Sequence, residues 1–120
     1  MKSFNNKVAA ITGAGSGIGQ QLAVLLAQQG CHVALSDINE QGLASTLELL
    51  KSYPVTVSSQ VLDVSNREAV QQWAQASVQQ HGSVNMVFNN AGVALGSTVE
   101  GASYQELEWI VGINFWGVVY

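Results

Sequence analysis

One cysteine, one proline and four basic residues are what this 120-residue chain has least of, and each scarcity excludes something. Cys31 has no second cysteine to pair with, so no internal disulfide forms and the core must hold the fold. Lys2, Lys7, Lys51 and Arg67 are scattered singly in a chain of net charge -4, which leaves no basic stripe to neutralise nucleic-acid phosphates or an anionic membrane. No apolar run approaches the roughly 18 residues of a membrane-spanning helix. The opening MKSFNNKVAAITG also lacks the apolar stretch of a secretory leader. A cytoplasmic protein is expected, with neither nucleic acid nor membrane as partner. His32 beside Cys31, with His81 far along the chain, is too sparse a set for a zinc cluster, so no metal site is expected.

What is present is apolar and glycine-rich: 48% hydrophobic residues and twelve glycines, the composition of an ordered globular domain spanning 1–120. Short compact apolar runs alternate with longer helical ones, the pattern of repeated βα units around a parallel sheet. The strand candidates are Val8 to Thr12, His32 to Ser36, Val55 to Leu62 and Val84 to Phe88. They are unalternating, as interior strands covered on both faces are. Helices are expected from Gly17 to Gln29, closed by Gly30, and from Asn39 to Leu50, closed before Tyr53-Pro54. A third begins with a capping box of Ser65 and Glu68 and ends at His81-Gly82, where a histidine suits the negative end of the helix dipole. A fourth begins with a second capping box, Ser103 and Glu106, and is still running at Tyr120. Its last stretch is apolar nearly all round and has no terminating glycine, proline or basic turn, so the chain reads as truncated at its C-terminus.

The most informative stretch is Thr12 to Gly19, TGAGSGIG, set between the first strand and the first helix. Glycines there allow a tight turn and close approach to a diphosphate, while the helix that follows aims free N–H groups and its positive dipole end at the anion. The spacing G-x-G-x-x-G does not occur: with Gly13 as the first place the sixth is Ile18, and with Gly15 as the first it is Gln20. No Lys-Ser/Thr follows Gly19, which excludes a P-loop. What fits is T-G-x-x-x-G-x-G, met by Thr12, Gly13, Gly17 and Gly19, and in this the sequence resembles the short-chain dehydrogenase/reductase family.

Asp37, eighteen residues past Gly19, ends the second strand, where a carboxylate can accept from the hydroxyls of an adenosine ribose. A 2′-phosphate beside it would meet like charge at roughly 1 to 4 kcal/mol, and neither Ser16 nor Ile38 supplies a cation, so NAD is expected over NADP. A plain helix cap is the alternative role for Asp37. Asp63-Val64 matches the family's adenine site, and Asn89-Asn90-Ala91-Gly92 is similar to its NNAG signature, in which asparagines brace the sheet and the small pair lies against the cofactor. The resemblance thus assigns Gly13, Ser16, Gly17, Ile18, Gly19, Asp37, Ile38, Asp63, Val64, Asn90, Ala91 and Gly92 to cofactor binding.

On the last helix Leu107, Val111, Asn114 and Val118 share a stripe, which places Asn114 among apolar side chains expected to be buried. The resemblance makes Asn114 the one catalytic candidate, holding a water in a proton relay; an asparagine tying two elements together is the alternative. The family's Tyr-x-x-x-Lys, whose lysine lowers the tyrosine pKa for proton transfer, does not occur in these residues. What the resemblance implies is a three-layer α/β sandwich, doubly wound and Rossmann-like, with strand order 3-2-1-4. The implied activity is that of an NAD(H)-dependent oxidoreductase acting on an alcohol or carbonyl compound, a homo-oligomer in full-length form, of which this chain is the cofactor-binding part and is inactive by itself. A naturally short, non-catalytic nucleotide-binding or interaction module is the competing expectation.

Overall fold

The computed structural model describes residues 3–120. Strand β1 (Val8–Thr12) leads into helix α1 (Gly17–Gln28), β2 (His32–Asp37) into α2 (Glu40–Leu50), and β3 (Val57–Val61) into α3 (Arg67–His81). Then come β4 (Met86–Phe88), α4 (Tyr104–Val111), a π-helical turn (Gly112–Trp116) and the short α5 (Gly117–Val119). The four strands form one parallel sheet in the order β3-β2-β1-β4, as expected for a doubly wound α/β fold.

Alternation along β1 splits the core into two layers. Ala9 and Ile11 face one side with Val33 and Leu35, where Ala23, Leu26 and Ala27 of α1 and Leu43 and Leu50 of α2 cover them. Ala10 and Ala34 face the other, beneath Trp73 of α3 and Ile113 of the π-helical turn. Helices on both faces make the three layers. Ile11, Val33 and Leu35 are fully buried, each contributing about 1.5–3 kcal/mol of transfer free energy.

The expectation of four interior strands holds for β1 and β2 only. β3 and β4 occupy the sheet's two edges and are partly exposed, Val61 by 51% and Val87 by 59%. Both are also shorter than the apolar runs that marked them. Helix ends follow local chemistry: Gly30 (φ +77°) and Gly82 (φ +82°) take the left-handed conformation after α1 and α3, and Ser103 with Glu106 forms a reciprocal capping box on α4. The expected Ser65–Glu68 box does not form. Asn66 caps α3 instead, accepting from Ala69 N at 3.1 Å, while Ser65 turns back to Asp63. The last helix is not one continuous α-helix either, because Gly112–Trp116 winds as a π turn.

Among the described residues, no helix is long and apolar enough to cross a membrane, and no group of three or more His, Cys, Asp or Glu is gathered that could hold a metal ion.

Candidate functional site

All four strands run the same way, so the turns that follow β1, β2, β3 and β4 converge at one end of the sheet. They enclose a cleft of about 360 Å³. Its walls are Gly13, Ser16, Gly17 and Ile18 after β1, Asp37 and Ile38 after β2, Leu62, Asp63 and Val64 after β3, Asn90 to Val93 after β4, and Ile113 from the π-helical turn. Eleven of the twelve residues singled out in the sequence for cofactor binding line this single cleft; the twelfth, Gly19, lies beneath it.

The turn after β1 depends on glycine at named points. Gly13 and Gly17 have positive φ, +66° and +53°, where a side chain is strained. A Cβ on Gly19 would run into the Gly13 carbonyl, so α1 packs on the turn only without one. Ser16 occupies the N-cap position of α1, yet its side chain makes no capping bond. The first amides of α1 are therefore left to whatever enters the cleft, and the helix dipole reinforces them toward an anion. None of the described residues that line the cleft is basic, and backbone amides are what these residues offer an anion.

Thr12 fixes β1 against β4 at the cleft floor. Its Oγ1 accepts from Asn90 N at 3.1 Å and Ala91 N at 3.0 Å. The Asn90 carboxamide returns the bond, donating through Nδ2 to Thr12 O at 3.2 Å and Gly13 O at 3.1 Å. This brace comes from Asn90; Asn89 is exposed. Asp37 uses both carboxylate oxygens, Oδ2 accepting from Gly15 N at 2.8 Å and Oδ1 from Asn39 N at 2.9 Å. It therefore supports the turn and faces the cleft at once, and each oxygen keeps a second lone pair for a ligand. Asp63 is exposed and its Oδ1 accepts from the Ser65 amide and hydroxyl at 2.9 and 2.6 Å, while Val64 is buried beside it.

Asn114 lies outside the cleft wall but next to it. Its Oδ1 accepts from Val93 N at 2.9 Å and its Nδ2 donates to Val93 O at 2.8 Å, a two-point clasp on the segment after β4. The stripe expected to bury it is not buried: Val111 and Val118 are each about half exposed. The π turn adds a residue to the winding, and the inward face becomes Ile113 and Gly117, the latter packed on Val64.

Far from the cleft, His81 ends α3 and shares a 2.8 Å hydrogen bond with Ser58 Oγ. A helix C-terminus favours the cationic ring, but burial first and the neighbouring His32 second push the His81 pKa below its ordinary value. Thr46, Gln20 and Gly42, which touch the glycine-rich turn from α1 and α2, were not legible as site residues; a glycine inside an otherwise helical pattern was the one available signal.

Residues 7–120 match the family model for short chain dehydrogenase. The chain is 46% identical over 119 residues to the oxidoreductase SadH of Mycobacterium tuberculosis, an alignment covering 99% of this chain and 43% of that protein. It is 35% identical over 119 residues to cyclohexanol dehydrogenase of an Acinetobacter species, covering 98% and 47%. A short chain dehydrogenase/reductase from Burkholderia phymatum, solved in complex with NAD, superposes with a TM-score of 0.95 at 39% identity over 99% of this chain and 42% of that one. The chain thus spans less than half the length of each of these proteins.

Proposed function

Because the chain belongs to the short-chain dehydrogenase family, we propose that it forms the dinucleotide-binding part of an NAD(H)-dependent oxidoreductase that interconverts an alcohol and a ketone or aldehyde. One observation carries this reading: the uncapped start of α1 and the Asp37 carboxylate open into the same cleft, so an anion site and a sugar-hydroxyl site stand side by side. The cradle suits a dinucleotide in its chemistry, since side chains at Gly13 and Gly19 would run into Asn90, Ala91 and the Gly13 carbonyl and so displace the turn that is to face a diphosphate. A nicotinamide cofactor bound here supplies the hydride acceptor or donor for the oxidation or reduction.

The chain's own residues divide the work of holding it. Gly13, Ser16, Gly17, Ile18 and Gly19 present backbone to the diphosphate, with the exposed Ile18 side chain at the mouth. Asp37 accepts from the ribose hydroxyls, and Ile38 beside it adds no cation for a 2′-phosphate, which favours NAD over NADP. Asp63 and Val64 receive the adenine, the former through a carboxylate and the latter through a backbone amide. Asn90, Ala91 and Gly92 form a floor of small residues at the opposite end, kept flush by Thr12. Asn114 fixes Val93 at the rim and so holds the segment where substrate and cofactor would meet.

These residues contain no Tyr-x-x-x-Lys, so the 120-residue chain alone is proposed to bind NAD without turning it over. Calorimetry with NAD on the pure chain tests the binding. Absence of heat at millimolar ligand would end the dinucleotide reading, and alcohol-dependent NADH formation by the pure chain would end the proposal of inactivity. Exposed Trp109, Phe115 and Trp116 on the last helical stretch are further proposed to mediate self-association in the full-length protein, which light scattering checks.

A further inference from the structure

The glycine-rich turn is held from outside. All four backbone polar groups of Ala14 and Gly15 have partners beyond it. Ala14 N donates to Ser36 O at 3.0 Å and Ala14 O accepts from Thr46 Oγ1 at 2.7 Å. Gly15 N donates to Asp37 Oδ2 at 2.8 Å, and Gly15 O lies 3.5 Å from Gln20 Nε2. The next amides, those of Ser16 to Gly19, therefore project from a base whose own position is fixed by α1, α2 and β2.

Thr46 is the joint of this arrangement. It is fully buried and stands four positions after Gly42, so both lie on the face of α2 turned to the glycine-rich turn. A Cβ on Gly42 would approach Gly15 O to 2.7 Å, which shows α2 and the turn meeting backbone to backbone. The Thr46 hydroxyl donates to Ala14 O and in the same place accepts from Gln20 Nε2 at 3.0 Å, tying α1 and α2 to one carbonyl of the turn. Shape alone does not ask for a hydroxyl there. Valine has nearly the same volume and would fill the site, so the oxygen is what the position uses.

Building on the dinucleotide reading above, we propose that Thr46, assisted by Gln20, is a positioning residue for the diphosphate site: it sets where the amides of Ser16, Gly17, Ile18 and Gly19 stand before ligand arrives. Pre-set donors spare the bound state the cost of ordering the turn, and a loosened turn restores that cost.

The test compares the full chain with Thr46→Val, Thr46→Ser and Gln20→Met. NAD affinity is measured by calorimetry, and amide hydrogen exchange is measured without ligand. Loss of one buried hydrogen bond at the turn predicts an NAD Kd about tenfold higher for Thr46→Val, with Thr46→Ser within about threefold of the parent. Exchange at Ala14 to Gly19 is expected to quicken in Thr46→Val while the amides of Ala9 to Ile11 and Val33 to Leu35 keep their parent rates. Gln20→Met, which keeps the Thr46 bond, shows the same pattern more weakly and serves if Thr46→Val does not fold. Parent-like affinity and exchange in Thr46→Val overturn the proposal and leave the dinucleotide reading standing. Exchange that quickens uniformly through β1 and β2 also overturns it, since that is general destabilisation. An unsubstituted chain that fails to bind NAD overturns the reading, and this proposal with it.

Discussion

Replacing Asp37 with alanine separates the duty its carboxylate performs in the turn from the one proposed for it toward the cofactor. The first is structural: Gly15 is buried, and its N–H loses the Oδ2 acceptor now 2.8 Å away. An unsatisfied buried donor costs about 1–3 kcal/mol, and a domain of this length loses about 4 °C of Tm per kcal/mol, so Tm should fall by about 4–12 °C. The second is recognition. Losing charge-assisted bonds to the ribose weakens NAD by about 1.5–3 kcal/mol, or about 10- to 100-fold. For NADP, removing the negative charge beside the 2′-phosphate returns roughly 1–4 kcal/mol, which offsets the damage to the turn. The ratio of NADP to NAD dissociation constants should therefore shrink by about 50-fold or more. Calorimetry with both cofactors at one fixed salt concentration, beside a thermal melt, reads both effects on the full chain. Asp37→Asn can keep an acceptor for Gly15 N but turns its NH2 toward the exposed Asn39 N, so it should melt between the parent and Asp37→Ala and still lose discrimination. A lowered Tm with an unchanged ratio of constants would refute the sugar contact and leave Asp37 as a brace for the turn alone.

Other perturbations follow from single contacts. Gly19→Ala drives a methyl group into the Gly13 carbonyl and should cost about 1–3 kcal/mol in urea unfolding, together with NAD binding; a neutral effect would contradict the close packing of α1 on the turn. Thr12→Val keeps the shape but leaves Ala91 N without its 3.0 Å acceptor, for an expected loss of about 1–3 kcal/mol in the same assay. His81 carries a pKa held below its ordinary 6.5, so its contribution to stability is intact above that pH and is lost as pH falls through it. The urea midpoint should accordingly drop between pH 8 and pH 5, less so in His81→Gln; an equal drop in both would assign the acid sensitivity elsewhere. Asn114→Ala removes both bonds to Val93, and hydrogen exchange at Val93 should quicken without change in the β1 amides.

Much of this architecture was readable before any coordinates because local and global signals agree. The T-G-x-x-x-G-x-G turn, Asp37, Asp63-Val64 and Asn90-Ala91-Gly92 each sit where a parallel strand ends, and parallel strands bring those ends together. What escaped was relational. Met86–Phe88 is as apolar as β1, and apolarity does not say which strands become edges; in Val57–Val61 the polar Ser58, Ser59 and Gln60 were the signal that β3 is one. Ser65 and Asn66 are both good N-caps, and the choice fell to Asn66 because Asp63 engages Ser65. The π turn around Asn114 inserts one residue into a helix, something a wheel drawn at 3.6 residues per turn cannot show. Thr46 looked like an ordinary helix residue, for its partner Ala14 lies 32 positions away.

The cleft's walls are drawn from five separated stretches of chain, so no stretch can form it alone. Occupancy would then be a gauge of whether the whole sheet is assembled: a dinucleotide bound as proposed would touch every strand end simultaneously and disfavour any partial unravelling. At a hundredfold excess of ligand over Kd this linkage is worth about 2.7 kcal/mol to the native state. Variants that look crippled in empty protein would then be rescued in a cell rich in cofactor, and starvation for it would expose them.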